Sequence, residues 1–336
     1  MIKPGGKVRV AYFERKPDKE YGSIETVFRV VRSLLPGDIS CELRTSRFRS
    51  EGLLKRVYNV FEAAARQDQV NHIGGDVHFL TLLMSRRRTI LTIHDLVGLT
   101  RGTWGQRKLI EWLWYRLPIR KAAFVTAVSS ATREQLVKLL GPSHVPIRVV
   151  PDCISPVFVP MPQPFRNERP IVLAVGTAPN KNLVRLAEAL RGIPCTLRIV
   201  GMIGPEQREA LLKTGVDYEN RHHLNEDEML ETYASSDLLA FPSMYEGFGM
   251  PILEAQTVER PVVTSRVTSM PEVAGDGACL VDPLDVWSIR AGVLRVIHDA
   301  PYREAILAAG RVNRERFTAA RIAEAYAQVY REVSAN

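Results

Sequence analysis

The sequence predicts an α/β protein made of two Rossmann-like, doubly wound parallel-sheet domains that face each other across a cleft. Short apolar segments alternate with helical patterns in two separate series, one in each half of the chain. Residues 149–165, which are rich in proline and nearly uncharged, separate the two series. The 336 residues, 46% of them hydrophobic, suffice for two ordinary cores.

The first series predicts a domain over residues 1–160. Strands are expected at residues 7–13, 89–94 and 122–128, and an amphipathic helix at residues 24–35. Each strand is followed by a helical pattern. Repeated strand and helix units imply parallel strands joined by right-handed crossovers.

The second series predicts a domain over residues 161–319. Its first strand is expected to begin at Ile171, and further strands are expected at residues 195–200, 237–241 and 260–264. The final helix, within residues 320–336, is expected to pack on either domain. Ligand loops of such domains follow the carboxyl ends of the strands, so both domains would present them to one cleft.

Composition favours a cytoplasmic protein. No run of eighteen apolar residues is present, and no apolar segment follows the lysines near the N-terminus, so neither a membrane span nor a secretory signal is expected. The four cysteines, Cys41, Cys153, Cys195 and Cys279, are far apart and lack a Cys-x-x-Cys pattern. We expect them to be reduced packing residues, neither zinc ligands nor disulfide partners.

Positive charge is concentrated in the first half of the chain. Residues 1–160 contain 26 lysines and arginines against 14 acids, a net +12, whereas residues 161–336 contain 19 against 23, a net −4. Basic clusters lie at residues 44–56, 86–88 and 101–121; a solvated surface is favoured for the second of them. No nucleic-acid-binding module accompanies the charge, so nucleic acid is not an expected partner.

The third basic cluster is interleaved with Trp104, Trp112, Trp114 and Tyr115. Long basic side chains beside tryptophans are typical of a helix that lies on an anionic membrane surface. A solvated face over core aromatic residues explains the same pattern equally well. Both interpretations stay open from the sequence.

The most informative segment is residues 241–254, Phe-Pro-Ser-Met-Tyr-Glu-Gly-Phe-Gly-Met-Pro-Ile-Leu-Glu. A short apolar strand leads into it, its glycines permit a tight turn, and Pro251 suits the first turn of a helix. The backbone amides of Phe248, Gly249 and Met250 would then lie at a helix N-terminus, where they can donate hydrogen bonds to phosphate oxygens.

Two glutamates bracket this turn. Glu254, about one helical turn inside the helix, would accept hydrogen bonds from a ribose diol, as acidic residues do in dinucleotide folds. Glu246, directly before Gly247, would face the hydroxyl groups of a sugar. A nucleotide sugar carries these groups on either side of its diphosphate, so the segment predicts a nucleotide-sugar site. An NAD-dependent dehydrogenase is disfavoured because no Gly-x-Gly-x-x-Gly follows either opening strand.

The segment resembles the Glu-x7-Glu signature of the retaining glycosyltransferases of family 4, the glycosyltransferases group 1. Residues 261–283 resemble the next strand and loop of that family, and residues 171–183 its first donor-domain strand and phosphate-binding loop. The resemblance covers most of residues 170–335 and, more thinly, the first half. It implies the GT-B fold, in which a C-terminal helix commonly returns to the N-terminal domain.

The resemblance also implies a retaining transferase that needs no divalent metal and no cofactor besides its nucleotide-sugar co-substrate. No Asp-x-Asp triplet stands at a strand end. In residues 176–182, Lys181 would neutralise the departing diphosphate, and Thr177 and Asn180 would add hydrogen bonds. Many family members carry an arginine near Thr177 or in place of Asn180, so Lys181 is expected to be the main stabilising side chain.

Two further donor contacts follow from the resemblance. Residues 218–226, which include His223, correspond to the base-contacting loop of the family. Gly22, after the first strand, resembles the glycine loop that approaches the donor phosphates, although the usual Gly-Gly pair is missing.

Histidines of the first domain are the candidates for the catalytic and acceptor side. His94 and Asp95 follow a predicted strand and resemble the family's acceptor-side histidine motif. His94 would hydrogen-bond the transferring sugar or the acceptor, and Asp95 would orient it or cap the next loop. His72 and His78, around Gly74-Gly75, are further acceptor-side candidates, for which a buried packing role is slightly favoured.

These observations predict a retaining hexosyltransferase with a UDP- or GDP-linked donor. A lipid-linked or cell-surface saccharide is the expected acceptor, as in polysaccharide biosynthesis, because the basic first domain suits a peripheral position on the inner membrane face. A glycosyltransferase acting on a soluble natural product, a sugar-nucleotide epimerase of the same architecture and a non-catalytic nucleotide-binding adaptor are the alternatives.

Overall fold

The computed structural model describes residues 7–16, 23–100, 103–141 and 145–335 and divides the chain into two compact units. Unit 1 comprises Met1–Ser155 and Thr318–Asn336, and unit 2 comprises Pro156–Phe317. Each unit contains a parallel sheet with helices, which confirms the predicted α/β fold class and its doubly wound topology.

Within its described residues, unit 1 contains a six-stranded parallel sheet in the order β2-β1-β3-β4-β5-β6. The strands are β1 (Val8–Glu14), β2 (Ile39–Thr45), β3 (Val70–Ile73), β4 (Thr89–Ile93), β5 (Phe124–Ala127) and β6 (Ile147–Val149). The helices of the first segment are α1 (Ser23–Ser33), α2 (Leu53–Ala65), α3 (Trp104–Ile110), α4 (Leu117–Arg120) and α5 (Ser130–Leu140). A π-helical turn, Glu111–Arg116, joins α3 to α4.

Unit 2, all of which is described, contains a second six-stranded parallel sheet in the order β12-β11-β10-β7-β8-β9. The strands are β7 (Ile171–Val175), β8 (Thr196–Val200), β9 (Asp217–Arg221), β10 (Leu238–Phe241), β11 (Val262–Ser265) and β12 (Cys279–Val281). The helices are α6 (Leu183–Leu190), α7 (Pro205–Thr214), α8 (Glu226–Ala234), α9 (Met250–Thr257), α10 (Met270–Ala274), α11 (Val286–His298) and α12 (Ala300–Arg314). The last helix of the chain, α13 (Ala319–Ser334), belongs to unit 1.

The predicted strands are found within a few residues of their expected positions, but five strands escaped prediction: β2, β3, β6, β9 and β12. β2 and β9 have mostly exposed or half-buried residues, and β6 has only three residues. The residues of β9 fall largely in the segment that the sequence assigned to a loop. An edge strand with polar residues on both faces lacks the hydrophobic pattern by which strands are recognised.

The core of unit 1 contains a buried aromatic cluster that includes His72. Its side chain is fully buried, and its ring nitrogens lie 2.7 Å from the hydroxyls of Tyr330 on α13 and Thr92 on β4. Burial lowers the pKa of His72 to about 3, so the ring is neutral. Both ring nitrogens are occupied within the core, so the structure supports the packing role and not the acceptor-side alternative.

Three of the four cysteines are buried and Cys41 is half-buried, each with a free thiol. Among the described residues, no helix combines the length and the apolar character needed to cross a bilayer.

Replacement of Tyr330 is expected to destabilise the protein in two steps. Tyr330→Phe removes the hydroxyl that bonds His72 and should cost about 1 kcal/mol, whereas Tyr330→Ala also opens a cavity and should cost about 3 to 5 kcal/mol. Chemical denaturation measures both. Tyr218→Phe, at a partly exposed position of β9, serves as the control and should leave stability nearly unchanged. Equal effects of the two Tyr330 variants would contradict the packing described here.

Candidate functional site

The candidate donor site lies where the strand order of unit 2 reverses. β7 and β10 are neighbours in the sheet, but the chain continues from β7 to β8 on one side and from β10 to β11 on the other. Ligands of doubly wound sheets bind at the carboxyl ends of the strands beside such a reversal. The loop after β7 carries Lys181 and the loop after β10 carries Glu246, so both predicted residues lie at this point.

Lys181 and Glu246 form an ion pair. The Lys181 Nζ atom lies 2.7 Å from Glu246 Oε1 and 4.8 Å from the centre of the Phe241 ring. Asn180 donates from Nδ2 to the Tyr245 carbonyl at 2.9 Å and to Glu246 Oε1 at 3.4 Å. The structure thus brings three predicted residues together, although they come from two loops.

Gly176 allows Lys181 to fold back toward this pair. Its φ of +88° lies in the region that favours glycine, and a Cβ atom there would lie 2.9 Å from Lys181 Cε. A side chain at position 176 would therefore strain the backbone and displace the lysine.

Two residues that the sequence did not single out hold the Glu246 loop. The backbone amide of Glu246 donates to Thr268 Oγ1 at 3.3 Å, and Ser269 Oγ donates to the carbonyls of Glu246 at 3.0 Å and Phe248 at 2.7 Å. Both residues follow β11, the other neighbour of β10. In the sequence, Thr268 and Ser269 are marked only by being hydroxyl residues that follow a predicted strand.

A third residue missed from the sequence, Asn182, ties the loop after β7 to its neighbours. Asn182 has a φ of +63°, and its buried Nδ2 donates to the carbonyls of Pro242 at 3.0 Å and Pro283 at 2.6 Å. An asparagine tolerates this left-handed conformation better than most residues. Its side chain fixes the position from which α6 starts.

The turn before α9 has the predicted form. Gly249 caps the helix with a φ of +110°, and Pro251 occupies its first turn. The described residues supply no acceptor for the backbone amides of Phe248, Gly249 and Met250. An oxyanion would satisfy these amides and would be favoured by the helix dipole.

Glu254 is buried in the second turn of α9. Its Oε2 accepts a hydrogen bond from the Tyr233 hydroxyl at 2.6 Å. Burial raises the pKa of Glu254 to about 7, while the Tyr233 hydroxyl and the Lys181 ammonium partly counteract this effect. Glu254 is therefore within electrostatic reach of Lys181 and is poised between its two protonation states near neutral pH.

The remaining predicted donor residues lie in separate loops. Thr177 is half-buried after β7, and its carbonyl accepts a hydrogen bond from Gln207 of α7. His223 is exposed between β9 and α8, has a φ of +57° and packs edge-on against His222. Gly247 lies in the turn between Glu246 and α9. Gly22 lies outside the described residues.

Unit 1 has a pocket of about 440 Å³ at the carboxyl end of its sheet. Residues after β3 and β4 form one side of it, including Asp76, His78, His94 and Asp95. Arg56 of α2 and aromatic residues of the π-helical turn complete the lining. The predicted catalytic and acceptor-side histidines other than His72 thus share one pocket.

His94 is paired with a carboxylate that the sequence analysis missed. Its Nδ1 lies 3.7 Å from Asp152 Oδ2, and both side chains are largely buried. Burial lowers the pKa of His94, but Asp152, followed by Asp95 and Glu25, outweighs this effect and raises the pKa above its usual value. The buried His94 Nε2 has no hydrogen-bond partner among the described residues, which leaves it available to a ligand. Asp152 was detectable as the single charge in the proline-rich segment.

The other polar residues of the pocket have structural partners. Asp95 Oδ1 accepts from the amide of Val97 at 2.9 Å, the capping alternative of the two predicted for it. His78 Nδ1 lies 2.9 Å from the Trp114 carbonyl, and burial lowers the pKa of His78. Asp76 accepts a 2.7 Å hydrogen bond from Trp114 Nε1.

Comparison with known proteins identifies both halves of the chain. Residues 1–157 match the family described as Glycosyltransferase Family 4, and residues 160–312 match Glycosyl transferases group 1. The chain is similar to the O-antigen chain mannosyltransferase B of Escherichia coli, with 28% identity over 69% of this chain and 67% of that protein. It is also similar to the MMP alpha-(1->4)-mannosyltransferase of Mycolicibacterium hassiacum, with 28% identity over 61% of this chain and 54% of that protein.

Solved structures share the fold at low sequence identity. Sucrose-phosphate synthase from Thermosynechococcus elongatus superposes with a TM-score of 0.78 at 16% identity, covering 98% of this chain and all of that one. Anabaena Alr3699/HepE in complex with UDP-glucose superposes with a TM-score of 0.76 at 16% identity, covering 96% and 99%. These similarities confirm the predicted GT-B fold.

Replacement of Glu254 by glutamine is expected to change how stability depends on pH. Because the folded pKa of Glu254 is about 7 and its ordinary value is 4.5, the folded state holds a proton that the unfolded state loses between these values. Wild-type stability therefore falls as pH rises through this window, by about 3 kcal/mol from this residue. Glu254→Gln should remove that loss. Denaturation should therefore show that the free energy of unfolding of the variant rises relative to that of the wild type between pH 5 and pH 8. A constant difference would contradict the raised pKa.

Replacement of Asp152 by asparagine is expected to lower the pKa of His94 below its ordinary value, because burial then acts without the nearest carboxylate. NMR titration of the histidine ring protons measures the change, with the His94 signal assigned from His94→Gln. Asp95→Asn is the control and should lower the pKa by less, since Asp95 acts less strongly on His94. A His94 pKa that Asp152→Asn leaves unchanged would show that the pair does not govern this titration.

Proposed function

Because the chain belongs to the glycosyl transferases of group 1, family 4, we propose that it is a retaining mannosyltransferase that uses a nucleoside diphosphate sugar as donor. The observation that carries the proposal is the Lys181–Glu246 pair at the strand-order reversal of unit 2, together with three backbone amides at the start of α9 that have no acceptor among the described residues. The names of relatives support the mannosyl group, since several are mannosyltransferases.

Each group in the donor site has a role. The amides of Phe248, Gly249 and Met250 bind the diphosphate, and Lys181 stabilises the negative charge that develops as the nucleoside diphosphate departs. Glu254 binds the ribose hydroxyls, and Glu246 binds the hydroxyls of the transferred sugar. Thr177, Asn180 and Gly247 complete the phosphate and sugar contacts, and His223 lies on the loop that reads the base.

Retention follows best from a same-face substitution. The Glu246 carboxylate is held by the Lys181 ammonium and by Asn180, and a carboxylate neutralised in this way is a poor nucleophile. The leaving phosphate oxygen would instead accept the proton of the attacking hydroxyl as the bond to the sugar breaks. No covalent glycosyl-enzyme is formed in this scheme, and no metal ion is needed.

The acceptor is proposed to be a lipid-linked or cell-surface saccharide. It would enter the pocket of unit 1, where His94 Nε2 donates to or accepts from the acceptor or the transferring sugar. Asp76 and Trp114 offer a polar and an aromatic contact to a sugar ring. The O-antigen chain named for one Escherichia coli relative supports a role in polysaccharide biosynthesis, and the net positive first half supports a position peripheral to the inner face of the membrane.

A donor panel tests the proposal. GDP-mannose, UDP-glucose and the other UDP-, GDP-, ADP- and dTDP-sugars are added in the presence of EDTA, and the melting temperature is measured; at 100 times the dissociation constant a ligand adds about 2.7 kcal/mol of stability. A shift with one base identifies the donor. Lys181→Ala should lower turnover about 10² to 10³-fold, whereas Lys213→Ala, at an exposed position on α7, should not.

Three outcomes would contradict parts of this proposal. If no nucleotide sugar raises the melting temperature, the proposed donor site is contradicted. A product whose anomeric configuration is inverted, as seen by NMR, would contradict the retaining mechanism. Release of the nucleotide with an epimerised free sugar, in the absence of any acceptor, favours an epimerase.

A further inference from the structure

We propose that Tyr233 is a positioning residue of the donor site, which holds one oxygen of Glu254 and thereby makes the affinity for the nucleotide sugar depend on pH near neutrality. The proposal rests on the proposed function, in which Glu254 binds the ribose hydroxyls of the donor, and it names how that contact is controlled. Tyr233 lies in the last turn of α8, outside the segments that the sequence assigned to the donor site.

The contact between Tyr233 and Glu254 is short and buried. The Tyr233 hydroxyl donates to Glu254 Oε2 at 2.6 Å. Tyr233 has no exposed surface, and Glu254 is only 5% exposed. A hydrogen bond from a hydroxyl to a carboxylate at this distance is among the stronger kinds, and burial keeps water from competing for it. Glu254 Oε2 is therefore committed to Tyr233.

The position of Tyr233 is set by the fold of unit 2. Its ring packs edge-on against the buried ring of Phe158, in the segment before β7, with ring centres 5.7 Å apart. Its carbonyl accepts a 3.2 Å hydrogen bond from Nε of Arg260, which lies shortly before β11. Because both the ring and the main chain of Tyr233 are held, its hydroxyl stays directed at Glu254 whether or not a ligand is bound.

The other oxygen of Glu254 is the one left for a ligand. Glu254 Oε1 accepts no hydrogen bond from the described residues, and it is not sealed from solvent. Each carboxylate oxygen can accept about two hydrogen bonds. With Oε2 committed to Tyr233, the ribose hydroxyls of the donor therefore converge on Oε1 instead of being shared between the two oxygens.

Four influences act on the charge of Glu254. Burial raises its pKa to about 7, and the Tyr233 hydroxyl and then the Lys181 ammonium act in the opposite direction. Glu226, in the first turn of α8, adds a smaller upward effect on this pKa. Without the Tyr233 hydroxyl, burial would be opposed by Lys181 alone and the pKa of Glu254 would be higher. Tyr233 thus keeps a larger fraction of Glu254 ionised at neutral pH.

The protonation state of Glu254 decides what Oε1 offers to the ribose. An ionised carboxylate accepts hydrogen bonds from hydroxyls and binds them more strongly than a neutral acid does. Because Oε2 accepts from Tyr233, the proton of the neutral form lies on Oε1, in the place of the ribose hydrogens. Donor binding therefore favours the ionised form and releases a proton to solvent when it starts from the neutral form. The affinity should rise with pH up to about pH 7 and then level off.

Calorimetric titration tests the proposal. GDP-mannose, UDP-glucose and ADP-glucose are each titrated into the protein at pH 6, 7 and 8, in two buffers of different protonation enthalpy, which counts the protons released. These ligands have no terminal phosphate that titrates in this range, so the protons come from the protein. For the donor that binds, the wild type should release about one proton at pH 6 and almost none at pH 8, and should bind about tenfold more tightly at pH 8 than at pH 6.

Three variants assign the effect to the Tyr233–Glu254 contact. Tyr233→Phe keeps the ring and moves the midpoint up by about one pH unit, so the affinity should fall about tenfold at pH 6 but only about twofold at pH 8. Glu254→Gln, which is neutral at every pH, should bind weakly, and any pH dependence that it retains comes from other groups and is subtracted. Tyr302→Phe, on α12 beside Cys279, is the matched control and should bind like the wild type.

The proposal is overturned if the wild type binds a nucleotide sugar with no proton release, or with proton uptake, at pH 6. It is also overturned if Tyr233→Phe lowers the affinity by the same factor at all three pH values, as the loss of a merely structural contact would. Binding that does not depend on pH removes only the role of Tyr233 and leaves the donor site in place. If none of the three nucleotide sugars binds at any pH, the proposed donor site is contradicted, and this proposal with it.

Discussion

Parallel pairing of every neighbouring strand is the constraint on which both sites depend. All strand ends of one polarity then lie at the same edge of a sheet, and loops that are distant in sequence meet there. In unit 2, β11, β10 and β7 are neighbours in the sheet. The loops that follow them carry Thr268, Glu246 and Lys181 and therefore lie side by side. The Lys181–Glu246 ion pair joins residues 65 positions apart and exists only because β7 and β10 pair in this register.

Buried charges fasten the connecting segment of unit 2 to this sheet. Asp237, at the start of β10, accepts hydrogen bonds from the backbone amide of Ile171 and from Arg166. Arg260 donates to the carbonyls of Met161, Tyr233 and Ala234. Because an unpaired buried charge is costly, these side chains specify where the segment before β7 lies. They therefore position β7 and β10, whose ends carry the candidate donor residues.

Unit 1 uses the same residue type in two opposite electrostatic environments. His72 lies between hydroxyl groups in an aromatic core, and burial keeps its ring neutral. His94 lies one strand away, beside Asp152, and carboxylates favour its charged form. Of these two histidines, His94 has a buried ring nitrogen without a partner among the described residues, so the environment and not the residue type separates the structural histidine from the candidate catalytic one.

The fold class and most central strands could be predicted from the sequence, and Lys181, Glu246 and Glu254 could be singled out as candidate donor-site residues, because hydrophobic periodicity and glycine turns are local signals. The residues that complete the candidate sites became visible only in the folded chain. Asp152 meets His94 across 58 residues, and Ser269 reaches Glu246 from another loop, so neither contact has a local pattern. The edge strand β9 was missed because the residues on both of its faces are polar or exposed.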